Sequence, residues 1–239
     1  MNASEDETAG KDRPETAQAF MALPARTGDS RELFLECLAD LVRAVGLDVP
    51  AEPDPDDRRG WRLRVRAALR NAARSDGLPV SDAAFGALMK AAVHDPDPSF
   101  NRQFVEPALH AFGRRRVRSA LLEHLRTGTD LERAGAARAW YWTALPLRLP
   151  NARAENGLGE SRTDSEDRSV LVRAWNEAAL QEFVSNENLD VRRCILPGLP
   201  LWPSAYPPEL HALVETAVEI ARSHPDEYIR HRVEIQVSG

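Results

Sequence analysis

Residues 186–193 read NENLDVRR: a polar turn, then the apolar Val191, then Arg192. A step of this kind recurs along the chain, and aligning on it sets a register. The aligned pairs are Val65-Arg66, Phe100-Asn101, Glu132-Arg133, Val191-Arg192 and Ile229-Arg230. Three positions after the second member stand Leu69, Phe104, Ala136, Ile195 and Val233. Seven positions after it stand Ala73, Ala108, Trp140, Leu199 and Val237. Offsets of −1, +3 and +7 share one helical face, so five helices are predicted to bury the same side.

Each of the five is preceded by another apolar-striped segment. Leu33, Phe34, Cys37, Leu38, Leu41, Val42 and Val45 follow 3–4 spacing, with Gly46 as a stop. DVPAEPDPDD (48–57) breaks the helix. The next carries Trp61, Val65, Ala68, Leu69 and Ala72 and ends before Gly77. Ser81 is placed to cap a helix burying Phe85, Leu88, Met89, Ala92 and Val93. DPDPS leads into one with Phe100, Phe104, Val105, Ala108, Leu109 and Phe112, closed by Gly113. Further helices are predicted at 114–126, 130–145, 166–185, 189–199, 208–223 and 226–237. No run alternates with the period of two that a half-buried strand needs, which gives ten helices and no strands.

The register repeats at intervals of 35, 32, 59 and 38 residues. The long interval holds the Pro/Gly/Asn-rich stretch PLRLPNARAENGLGESRTDS (146–165), and without it shortens to 39. Paired helices at this period resemble HEAT repeats, most closely in DPDPSFN (95–101), NENLDVRR (186–193) and HPDEYIR (224–230). The resemblance covers residues 30–237. It implies an all-α, right-handed solenoid of about five antiparallel hairpins, set behind a flexible acidic tail at 1–28. The competing arrangement is an all-α bundle without ordered stacking. The family's turn Asp is matched only at Asp95, with Thr127, Asn186 and His224 in the equivalent places, so a continuous Asp–Arg ladder is not expected. Pro107 and Pro197 fall within second helices and should kink or end them.

The chain has 239 residues, 31 Lys and Arg against 37 Asp and Glu, and a net charge of −6. Residues 1–57 hold 14 acidic and 5 basic side chains, whereas 58–74 holds seven Arg and no acid. The N-terminus lacks the basic start and apolar stretch of a secretory signal, and no run of 18 apolar residues occurs, which points to the cytoplasm and away from membranes. Cys37 and Cys194 lie apart in apolar surroundings and read as reduced, buried thiols.

No phosphate loop, nucleophile elbow or HExxH appears, and the six His are scattered. No catalytic residue, metal or cofactor is expected, although an enzyme built from groups on distant repeats is a third alternative. No His is followed by Glu, which sets the chain apart from the di-iron hydroxylases of the HEAT-like group.

Solenoids of this kind present their second helices along a concave groove. The resemblance therefore implies a non-catalytic scaffold or adaptor that binds another protein. In the register, the outward positions are Asn71, Arg102, Glu106, His110, Arg138, Trp142, Arg193 and His231. Trp140 and Tyr141 are expected to point into the stack and Trp142 to face out, with 146–165 as a lid or extra contact. The alternative is nucleic-acid binding of the HEAT-like DNA-glycosylase kind. It requires Arg62, Arg66, Arg70 and Arg74 to be exposed together, against a whole-chain pI of about 5.6 that is low for such a domain.

Overall fold

The computed structural model describes residues 28–75, 77–97, 99–145 and 162–237. Among them are ten α-helices and no strand. These are α1 (Gly28–Val45), α2 (Arg58–Ser75), α3 (Asp82–His94), α4 (Arg102–Phe112), α5 (Arg114–Thr127), α6 (Asp130–Thr143), α7 (Arg162–Ser185), α8 (Leu189–Ile195), α9 (His211–Ser223) and α10 (Glu227–Val237). The expected tail falls outside the described residues up to 27, but Gly28 already belongs to α1. The expected insertion falls outside them over 146–161, and α7 then starts at Arg162, four residues earlier than predicted.

Local signals account for the ends. Ser81 accepts the Ala84 N–H at 3.1 Å. Thr129 and Glu132 form a reciprocal capping box on α6. Gly113 turns the chain between α4 and α5 with φ of 80°, a conformation that suits glycine. Trp61, almost fully buried, donates its indole N–H to the Pro50 carbonyl at 2.8 Å and pins the Pro-rich linker onto α2. Pro197 closes α8 in a short tight turn, whereas Pro107 lies inside α4 and does not end it.

The odd-numbered helices touch in chain order, α1 on α3, α3 on α5, α5 on α7 and α7 on α9. The even-numbered ones do the same from α2 to α10, and each helix also packs on its pair partner. One apolar cluster runs through all of this. Every +3 residue of the register is buried, as are Val65, Val191 and Ile229 at −1. Phe100 departs from expectation: it sits in the turn before α4 and is 41% exposed.

α6 is the most embedded helix, meeting α3, α4, α5 and α8. Its buried residues are mostly small, Ala134, Gly135, Ala136, Ala137, Ala139 and Thr143, with Arg138 the exception. A methyl on Gly135 would lie 1.9 Å from the Val93 carbonyl oxygen of α3. Backbone meets backbone there, so the obstacle cannot rotate away as a flexible side chain would. Gly135→Ala should cost about 3 kcal/mol through forced separation of the two helices. Calorimetry should show Tm lower by roughly 6–12 °C with helical content retained at 25 °C.

The α3–α5–α6 junction also gathers two imidazoles, the buried His94 and the half-buried His124, around one carboxylate. His94 Nε2 and His124 Nδ1 lie 3.7 Å and 3.9 Å from Glu132 Oε1. Burial pushes both histidines below their usual range, and it outweighs the opposing charge of Glu132. Lys90 and Arg138 push His94 further down, while Glu123 pulls His124 up. The folded protein thus binds fewer protons here than the unfolded chain, whose histidines titrate near about 6.5. Stability from this junction is therefore complete above that pH and declines as pH falls below it. Urea midpoints measured from pH 8 to 5 should fall, and the fall should shrink in a His94→Gln/His124→Gln variant.

Candidate functional site

The helices α6, α7, α8 and α10 surround a cavity of about 600 Å³. α6 supplies Ala137, Arg138, Trp140, Tyr141, Trp142 and Ala144. α7 adds Trp175, α10 adds Tyr228, and α8 with its closing turn adds Asp190, Arg193, Cys194, Ile195, Pro197 and Gly198.

The small residues of α6 set this up, because close packing of its first two turns fixes where its last turn emerges. Trp140 then lies flat on Trp175, with ring centroids 4.0 Å apart and planes 5° from parallel. The Arg118 guanidinium sits 5.2 Å from the Trp140 ring and donates to the Thr143 hydroxyl at 3.0 Å. Trp142 donates its indole N–H to Asn101 Oδ1 at 2.7 Å. Tyr141 meets Trp142 edge-on at 5.1 Å and is 59% exposed.

Tyr141 therefore corrects the sequence reading, which had it pointing inward. It lies one residue past Trp140, turned roughly 100° away from the buried stripe and onto the outward arc. Trp142, expected to face out, is half-buried because Asn101 draws its indole N–H inward.

The charged residues in the wall are bound to one another. Arg138 pairs with Asp190 at 3.5 Å and donates to Cys194 Sγ and to the Asp95 carbonyl, both at 3.4 Å. Arg193 grips both carboxylate oxygens of the fully buried Asp226, with Nε 3.0 Å from Oδ1. Burial alone would raise Asp226, but the Arg193 hydrogen bond, the Ile229 N–H and the nearby positive charges together hold it below the usual carboxylate range. Burial pushes the Cys194 thiol up to about 11, against the pull of Arg138, so it stays protonated and unreactive. Cys37, also free, is raised to about 11 by burial.

Arg138–Asp190 and Arg193–Asp226 belong to a wider series. Arg66 on α2 reaches Asp95, just past α3, at 2.8 Å, with both side chains buried. Each arginine sits on a second helix and each acid belongs to the next pair, so an interrupted Asp–Arg ladder does exist. The sequence reading missed it because the acids are displaced, Asp190 four residues after Asn186 and Asp226 two after His224. The turns differ in length, so a fixed turn position does not find them.

Of the eight predicted groove residues, Arg138, Trp142 and Arg193 line the cavity. Arg102 adjoins it, with its guanidinium 5.2 Å from the Trp142 ring and paired with Glu106 at 3.3 Å. Asn71, His110 and His231 are not in its wall. Tyr141, Trp175, Asp190 and Tyr228 were not predicted. Asp190 and Tyr228 each stand two residues before the aligned Arg, so extending the register backwards would have found them. Trp175 lies on a first helix, for which no register was drawn.

The basic stretch behaves differently from the alternative reading. Arg70 and Arg74 are exposed and Arg62 is half-buried, but Arg66 is buried, against expectation. It is held by Asp95, by the Phe100 carbonyl at 3.1 Å and by the rings of Phe34, Phe100 and Phe104. Within the stretch, Arg58 pairs with Glu32 and Arg64 with Asp57. Acidic neighbours thus hold three of the seven arginines of the stretch, Arg58, Arg64 and Arg66. Among the described residues, no three His, Cys, Asp or Glu gather as a metal ion would require. No described helix is long and apolar enough to cross a membrane.

Compared with known proteins, the chain matches no family model, no curated protein and no solved structure. The site is thus defined by its geometry: an aromatic recess on an all-α scaffold.

Arg66→Ala should destabilise the protein by about 3–5 kcal/mol, because it leaves the Asp95 carboxylate buried without its counter-charge. Arg66→Ala/Asp95→Ala should cost clearly less than the single change in urea unfolding; costs that simply add would contradict the pairing.

Proposed function

We propose that this protein is a HEAT-like, right-handed α-solenoid of five hairpins acting as a non-catalytic scaffold, which binds a partner protein along its second-helix layer. The order of helix contacts supports the solenoid reading, since odd helices meet odd and even meet even in sequence. The observation that carries the functional reading is the exposed Tyr141 at a recess that also holds Trp140, Trp142, Trp175 and Tyr228. Large aromatics gathered in one concave place are what protein-binding centres use, because they offer much contact area at little entropic cost. The chemistry of the wall supports the non-catalytic part of the reading. Its thiol is held protonated, and its arginines are spent on Asp190 and Asp226.

Site-specific photo-crosslinking tests the proposal. With a photoreactive residue at position 141, host extracts should yield a discrete protein adduct. The same residue at Val170, an equally exposed position on α7 (61%), serves as control and should not yield that adduct. Adducts equal at the two positions, or none at 141, would overturn the groove.

A further inference from the structure

Resting on that reading, we infer that the recess receives an uncharged aromatic side chain carried on a polypeptide of the partner. The argument is one of charge complementarity. An entering carboxylate or phosphate would need a guanidinium, but Arg193 is clamped on both oxygens of buried Asp226, and Arg138 is shared among Asp190, Cys194 and Asp95. Taking either arginine would strand a buried or half-buried carboxylate. An entering cation would be drawn to the ring faces, but it would face the two guanidinium groups of Arg138 and Arg193 in the same wall, and Asp190 is already held by Arg138. With its charges closed on themselves, the wall complements a neutral guest.

Its apolar surface then selects among neutral guests. The Trp140–Trp175 stack is flat, and Arg118 lies 5.2 Å from the Trp140 ring, so part of the aromatic wall is already engaged within the protein. Tyr141 and Tyr228 carry the partly exposed rings of the wall, at 59% and 36%. A guest ring held by these aromatics gains edge-to-face and offset contacts that an aliphatic guest of equal area does not. The volume of about 600 Å³ also falls in the range that admits such a group together with the peptide that bears it.

The test uses the full chain labelled with ¹⁵N, followed through the indole N–H signals of its five tryptophans. N-acetyltryptophanamide is the probe, compared with the corresponding leucine, glutamate and lysine amides. The expected result is saturable shifts of Trp140, Trp142 and Trp175, with Trp61 and Trp202 unmoved. The leucine amide should bind about fivefold more weakly or worse, and the charged amides should not saturate. Tyr141→Ala and Tyr228→Ala, at positions exposed enough to be truncated without unfolding, should each weaken the probe about fivefold.

Failure to saturate, an equal response to the charged amides, or undiminished binding in both variants overturns the inference. A crosslinked partner at position 141 without probe binding leaves the scaffold standing and removes the aromatic anchor. Probe binding without any crosslinked partner removes the polypeptide occupant instead.

Discussion

At Gly135 the backbone of α6 comes so near that of α3 that no side chain fits between them. The rest of the arrangement depends on this approach. Four alanines around it let α6 sink among α3, α4, α5 and α8, and a helix gripped on so many sides has one axial position and one rotation. Its last turn therefore delivers Trp140, Tyr141 and Trp142 at fixed angles. Trp140 meets Trp175, Trp142 meets Asn101, and Tyr141 is left on the outside. Bulkier residues on the packed face would move all three rings together.

The Arg–Asp pairs have a different physical role. Burying a charge pair gains little net free energy, since the desolvation cost roughly offsets the attraction. Stability comes instead from the continuous apolar cluster, at about 25 cal/mol for each Å² removed from water. What the pairs contribute is register. Arg66, Arg138 and Arg193 each find an acid in the following pair of helices, and a neighbour shifted by one turn would leave a charge stranded. Apolar contacts tolerate such a slip far better, so the charges define which stacking is allowed.

Much of this was legible in the chain itself. The +3 positions, with Val65, Val191 and Ile229 at −1, foretold part of the buried face of the even-numbered helices, whereas Val237 at +7 is 40% exposed; cap and turn residues placed most helix ends. Arg138, Trp142 and Arg193 were picked from the outward arc and do meet at one cavity. The failures have definite causes. Phe100 precedes its helix and so escapes the helical period. Arg66 looks like surface charge in a run of arginines, and only the fold brings Asp95 from the next hairpin to cover it. Trp175 reaches the site from a helix whose facing depends on how the pairs stack, which a single repeated dipeptide does not encode.

Asp95 takes part in this framework twice. Its carboxylate holds Arg66 of α2, and its carbonyl oxygen holds Arg138 of α6. One residue thus rivets the first, second and third hairpins together. Removing the Asp95 side chain would therefore release Arg66 while leaving the backbone carbonyl's hold on Arg138 in place.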